Sequence, residues 1–249
     1  MVKIMTTLFE GERFDFISSG LHIIQSQHVF SFTIDAVLLA RFAYVPITKG
    51  SIIDLCSGNG VIPLVLSTRS EVSMTGVEIQ SKLVDMARRS AQYNQLQTQL
   101  SFIEADVREK KLVNKTGEAD LVTCNPPYFA TAMDKDQNTN PSFTAARHEK
   151  YGTLDDIIQA ASKLVKQKGK LAMVHRPERL PELIETFRKY RIEPKRMKCI
   201  FPKADKDANI LLIEGIKEGK PGMTCLPPLT VYSENGTYTE EFKTYYEGT

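Results

Sequence analysis

Directly after the apolar run Ala119 to Cys124 the chain reads Asn125-Pro126-Pro127-Tyr128. Consecutive prolines lock the backbone and remove two donors, so the carbonyls there face outward without local partners. The side-chain oxygen of Asn125 and the carbonyl of Pro126 can then converge on one NH2 group, and the Tyr128 ring can stack on a flat substrate. A second constellation, Asp54-Leu55-Cys56-Ser57-Gly58-Asn59-Gly60, closes a β-branched run and opens a helix. Gly58 and Gly60 permit a tight turn and the close approach of a ligand to the backbone. This is not the dinucleotide fingerprint, because Pro63 stands at its third glycine position and Asp54 would repel a pyrophosphate. An acid there suits a ligand with a cationic group. Glu78 stands 20 residues after Gly58 at the end of the next strand-like run, where an acid accepts hydrogen bonds from ribose hydroxyls. Asp106 follows the third run in the same way and could accept from an adenine amino group. Three acids topping adjacent strands weigh more together than any one alone.

These residues need a scaffold that brings strand ends together, and residues 51–124 alternate as such a scaffold would. SIIDLC, VSMTGVE (72–78), Leu100 to Glu104 and ADLVTC read as four strands. Val61 to Arg69 and Ser81 to Gln95 read as helices, with Ser81 as the N-cap of the second. Further on, Leu154 to Lys166 and Pro181 to Tyr190 read as helices, and 169–175, Lys195 to Phe201 and 209–217 as strands. Strand–helix alternation implies a parallel sheet covered on both faces. Only a short loop separates the last two strands, so these should pair antiparallel. A sheet of this kind places its ligand outside the carboxyl ends of its strands. Residues 129–150 form a long polar loop beside that end, and loops of such length are usually functional. The Pro- and Gly-rich tail after Gly219 should wrap or fray.

The composition is that of a globular chain: 249 residues, 42% hydrophobic, 25% charged, with no apolar run approaching a membrane span and no signal pattern at the start. The four cysteines (56, 124, 199, 225) include no CxxC pair, and the four histidines (22, 28, 148, 175) have no metal-ligand spacing. The expectation is a reduced, cytoplasmic protein without a metal. Net charge is +2, but residues 163–203 hold 13 Lys/Arg against 4 Glu, a local +9 that leaves −7 for the rest. That asymmetry suggests a face for a polyanion.

Taken together, the glycine loop, Glu78, Asp106 and the Asn-Pro-Pro-Tyr motif resemble the class I S-adenosylmethionine-dependent methyltransferases that modify amino groups. The resemblance spans residues of about 20 to 217. It implies a Rossmann-like α/β fold with a seven-stranded, mostly parallel sheet, an antiparallel last strand and helices on both faces. It divides one methyltransferase domain (1–249) into a cofactor-covering segment (1–45), a core sheet (46–217) and a tail (218–249). One position departs from the family loop, where Cys56 replaces the first glycine. The segment Gln27 to Ala40 narrows the likeness, because it is similar to the cofactor-covering motif of the bacterial tRNA1(Val) adenine-N6 methyltransferases. That family implies that Gln27, Phe32, Thr33 and Asp35 border the methionine end of S-adenosylmethionine. Asp54, Cys56, Ser57, Gly58, Gly60, Glu78, Ile79, Asp106, Val107 and Asn125 would complete the cofactor site. Read plainly, the same N-terminal segment is a helix with Thr33 or Asp35 near its N-cap and Ile34, Val37 and Leu38 packed on the sheet.

The implied reaction is in-line methyl transfer to adenine N6 in tRNA, beside the anticodon. Asn125, Pro126, Pro127 and Tyr128 would carry the chemistry, while Tyr128, Phe129, Arg147 and Lys203 would touch the substrate. No strong base is needed before attack, which accords with the lack of a His or Cys candidate. Two other readings compete. A release-factor-type glutamine methyltransferase shares the motif but has no evident use for a basic face, and a non-catalytic RNA-binding module would have no need of Asp54, Glu78, Asp106 and Asn125 together.

Overall fold

The computed structural model describes residues 7–29, 32–126 and 152–248. Pro127, Tyr128, Phe129 and Arg147, and the loop 129–150 with His148, lie outside the described residues.

Seven strands run β3 (Ser51–Leu55), β4 (Ser73–Glu78), β5 (Leu100–Glu104), β6 (Ala119–Cys124), β7 (Val165–His175), β8 (Ile192–Phe201) and β9 (Ile210–Lys217). They lie side by side in the order β5-β4-β3-β6-β7-β9-β8. The first five are parallel, and β9 inserts antiparallel between β7 and β8. The expected antiparallel pairing of the last two strands is therefore borne out, and the chain order reverses where β3 meets β6. Ligands of open α/β sheets bind outside the carboxyl ends at such a switch point.

Helices cover both faces. On one lie α1 (Ile34–Phe42), α2 (Val61–Leu66) and the inner side of α3 (Ser81–Tyr93). On the other lie α4 (Leu112–Thr116), α5 (Leu154–Leu164) and α6 (Leu180–Lys189). Helix α1 is apolar nearly all round, and such a helix must be buried. Leu38 and Leu39 are fully inaccessible, each worth about 1.5–3 kcal/mol of burial.

Several features differ from the sequence reading. Residues 12–16 and 22–26 form an antiparallel hairpin, β1 (Glu12–Phe16) and β2 (His22–Ser26). It packs on α3, where the Ile24 N–H donates to Ser90 Oγ and the His22 N–H to Asn94 Oδ1. Its strands are short and its inward residues include Gln25 and Ser26, so they lack a clean alternating pattern. Gln80, not Ser81, occupies the N-cap of α3, and no side chain caps it. Thr33 does hold the N-cap position of α1, again without a side-chain cap, and Asp35 is in its first turn. The tail wraps: β10 (Thr224–Cys225) and β11 (Leu229–Thr230) add to the free edge of β8, and α7 (Glu240–Glu247) packs against α1. Among the described residues the main sheet thus has nine strands where seven were expected.

The basic segment is not one face. Lys163, Lys166, Lys168 and Lys170 lie at the amino ends of the strands, as do Arg188, Lys189 and Arg191, whereas Arg176, Arg179 and Lys203 lie at the carboxyl end. Many of these charges are paired, among them Lys166–Asp120, Arg179–Glu182, Arg188–Glu193, Lys189–Asp155 and Arg196–Glu214. Sequence adjacency overstated the patch because a strand carries neighbouring residues to opposite ends of a sheet.

Candidate functional site

Strand register assembles the site. Leu55 pairs with Cys124, so the glycine loop leaving β3 starts beside Asn125 and Pro126 leaving β6. Glu78 ends β4, the next strand out, and Asp106 follows β5. Asn125 is half-buried and Pro126 buried.

The loop turns through three left-handed residues at alternate positions. Cys56 has φ +55°, Gly58 φ +55° and Gly60 φ +88°. A Cβ on Gly60 would come within 2.8 Å of Phe102, whereas one on Gly58 would meet nothing within 4 Å. Gly60 is thus required by packing, while Gly58 leaves its backbone open to a ligand. Cys56 occupies a conformation that costs a residue with a side chain about 1–2 kcal/mol, set against roughly 0.5–1 kcal/mol of extra unfolded-state freedom for glycine. Cys56→Gly should therefore match or slightly exceed the wild type in urea unfolding. Cys56→Val, β-branched at positive φ, should be clearly less stable. A Gly variant weaker than the Val variant would show that side-chain packing, not backbone strain, governs this position.

Asp54 is fully buried on β3 and accepts from Thr123 Oγ1 at 2.7 Å. Its Oδ2 and the buried Ser57 Oγ make no hydrogen bond of normal geometry among the described residues, although the Ser57 hydroxyl is close enough to act on the Asp54 carboxyl. Burial pushes the Asp54 pKa up to about 7, against the pull of the Thr123 and Ser57 hydroxyls and with help from the Glu78 charge. A pKa raised on folding means that Asp54 favours the folded state fully below its unfolded value of about 3.9, and that this is lost as pH rises toward 7. Asp54→Asn should therefore gain on the wild type from pH 4 to 7 and hold a constant offset above that. Melting temperatures of both proteins across pH 4–9 check this; a pH-independent difference would refute it.

Glu78 is also buried, and burial raises its pKa. Its Oε2 accepts the Gly58 N–H at 2.9 Å and its Oε1 the Gln80 N–H at 3.0 Å. It thereby ties the glycine loop to β4 while keeping lone pairs for further donors. Ile79 beside it is half-buried. Asp106 follows β5 as its sequence position implied, but its carboxylate already has a partner. Arg108 grips its carboxylate through Nε and Nη2, and the Arg108 N–H donates to Oδ1 at 2.8 Å. That guanidinium holds the Asp106 pKa below the usual carboxylate range. An adenine amino group could be accepted there only if Arg108 yields a bond. Val107 follows, half-buried, on the same loop.

The covering segment approaches the same end of the sheet. Phe32 packs against the core and its N–H donates to Gln25 Oε1 at 3.0 Å. Asp35 is buried. Gln27 is exposed in the turn after β2, its N–H bonded to Gly11 O. Lys203 sits beyond the carboxyl end of β8, with Nζ 3.4 Å from Glu234 O. Among the described residues no cluster of His, Cys, Asp or Glu could hold a metal, and no helix is long and apolar enough to cross a membrane.

Four residues at this end went unread in the sequence. Thr123 orients Asp54, and Asn59 Nδ2 donates to Ile24 O, fastening the loop to the hairpin. Arg108 holds Asp106. His175, buried, ends β7 two residues after Met173, the partner of Cys124 on β6. Burial, with Arg179 and Arg176 nearby, lowers its pKa to about 4, and its Nδ1 accepts the Arg176 N–H. A polar residue inside an apolar strand run was the available signal for Thr123 and His175.

A family model described as the methyltransferase small domain matches residues 20–139. A protein of Aeromonas hydrophila named as a tRNA1(Val) (adenine(37)-N6)-methyltransferase is 25% identical over 240 residues, 93% of this chain and 95% of its own. One of Porphyromonas gingivalis with the same name is 26% identical over 250 residues, covering 95% and 92%. The fold is also that of a crystal structure from Agrobacterium tumefaciens described as a predicted O-methyltransferase, with TM-score 0.68, 24% identity, and 86% of this chain and 96% of that one covered. Residues 20–139 thus resemble the methyltransferase small domain family, and the chain is a methyltransferase of the class I fold.

Proposed function

We propose that this methyltransferase uses S-adenosylmethionine to methylate the exocyclic N6 of an adenine in tRNA, next to the anticodon. The observation that carries the reading is the β3–β6 register, which sets the start of the glycine loop beside Asn125 and Pro126. The names of the relatives from Aeromonas and Porphyromonas support the same substrate.

The chain's residues suit that cofactor. Asp54 Oδ2 and Ser57 Oγ are buried acceptors with capacity to spare, and the backbone at Gly58 is open. Glu78 is aligned for ribose hydroxyls, and Phe32, Thr33, Asp35 and Gln27 line the covering side. When bound, S-adenosylmethionine supplies an electrophilic methyl group on a sulfonium.

Adenine N6 is a poor nucleophile because its lone pair is delocalised into the ring. Asn125 Oδ1 and the Pro126 carbonyl accept its two N–H bonds, favour a more tetrahedral nitrogen and stabilise the positive charge that grows on it. This is preorganised electrostatics with positioning. No base is required before attack. Pro127 stiffens the motif, and Tyr128 or Phe129 holds the base, which costs little to extrude from an unpaired loop. Arg147 and Lys203 contact the RNA.

The test is transfer from labelled S-adenosylmethionine to tRNA taken from cells lacking this protein, followed by nucleoside mass spectrometry. N6-methyladenosine is the expected product. Label in a protein fraction and none in tRNA would move the assignment to a glutamine amide.

A further inference from the structure

A cavity lies among α1, α2 and α7 at the amino-terminal ends of the strands, the opposite end of the sheet from the glycine loop. Its volume is about 430 Å3, within the range of about 300–1,000 Å3 common for small-molecule sites. Arg41, Arg69, Glu241, Thr244, Tyr245 and Gly248 line it.

Arg69 is anchored by one nitrogen. Its Nη1 donates to the carbonyls of Ala40, Arg41 and Ala43, at the C-terminal end of α1. Cations are favoured there by the helix dipole, and the three bonds fix the guanidinium. Nε and Nη2 make no hydrogen bond among the described residues. Those two nitrogens form the edge of a guanidinium that grips an oxyanion with two parallel bonds. Arg41 is beside it, held by the carbonyls of Tyr246 and Glu247 and by the Ser18 and Ser19 hydroxyls. Among the described residues neither arginine has a carboxylate within ion-pair distance. Burial lowers the pKa of Arg69, as does the charge of Arg41. Glu241, exposed on the rim, is the one acid among the described lining residues.

We propose that this cavity is an oxyanion site that takes a phosphate group, gripped by the Nε–Nη2 edge of Arg69 with Arg41 as the second cation. The phosphate is either free, on a small molecule, or part of an RNA backbone; the chemistry of recognition is the same. The inference is independent of the methyl-transfer reading.

Inorganic phosphate titrated calorimetrically into the full chain, at an ionic strength held constant with sodium chloride, tests it. Saturable binding is expected. Arg69→Lys keeps the charge but loses the fork and should weaken binding about tenfold or more. Glu241→Gln, on the exposed rim, should tighten it severalfold. No saturable heat, or the same affinity in all three proteins, would overturn the site, and the Glu241→Gln arm does so without disturbing the Arg69 anchor. Filter binding of tRNA then separates the sources. Competition by phosphate, with equal weakening in Arg69→Lys, assigns the site to a backbone phosphate. Indifference of tRNA to both assigns it to a free phosphate ligand.

Discussion

Asn125→Ala is expected to lower the rate of methyl transfer by about 10²–10³-fold, the usual loss when one preorganised charge-stabilising group is removed, with cofactor affinity unchanged. The separation follows from position. Asn125 leaves β6 and the glycine loop leaves β3, so the two adjoin without sharing a backbone segment. Asp54, Ser57 and Glu78, which would hold the cofactor, are anchored by Thr123, by the Val77 carbonyl and by the Gly58 and Gln80 amides, not by Asn125. The variant keeps the Pro126 carbonyl and so loses one acceptor of two. Asn125→Ser, with a shorter acceptor, should recover part of the loss. Single-turnover transfer to tRNA, beside calorimetric titration of S-adenosylmethionine, measures the two effects separately. Normal turnover in a folded Asn125→Ala protein would remove Asn125 from the chemistry. Loss of cofactor binding in step with rate would make it a binding residue instead.

The sheet was legible because its strands and helices carry strong local signals. β5 and β6 fall at the expected residues, and β3, β4 and β9 differ by one residue at an end. The antiparallel β8–β9 pair followed from loop length alone. What escaped had no local signature. The hairpin β1–β2 is defined by its docking on α3 through Ser90 and Asn94, contacts separated by more than 60 residues in the chain. β10 and β11 are two residues each and exist only because the edge of β8 offers unpaired backbone. At the site, the residue types Asp54, Glu78, Gly58, Gly60 and Asn125 were readable, since loop chemistry dictates them. Their second partners were not: Thr123 reaches Asp54 across strands, and Arg108 takes Asp106 by a side-chain conformation that spacing cannot encode. The basic segment misled for the same reason, since linear charge says nothing of which end of a strand a residue occupies.

Removing Glu214 should be among the most damaging single changes to stability. Glu214 lies on β9 and is 2% exposed. It accepts from Arg196 Nε at 2.8 Å and Nη2 at 3.2 Å, and from the Tyr44 N–H at 2.9 Å. Arg196 Nη2 also donates to the Phe42 carbonyl at 2.6 Å, with its guanidinium 4.5 Å above the Phe42 ring. The carboxylate therefore fixes the end of α1 to the sheet and balances a largely buried cation. Breaking such a pair by removing one partner costs about 3–5 kcal/mol, because the other charge stays buried. Against a total stability of about 5–15 kcal/mol that is a large fraction. Glu214→Ala should lower the urea midpoint strongly with an unchanged slope, which marks lost stability rather than a changed denatured state. Glu214→Gln, which keeps the shape and one acceptor, should lose less. Because α1 begins at Thr33 and Asp35 beside the cofactor side of the sheet, the Gln variant should also bind S-adenosylmethionine more weakly before any loss in the rate of the bound enzyme. A Glu214→Ala midpoint equal to wild type would mean that burial of α1, not this ion pair, holds the helix end in place.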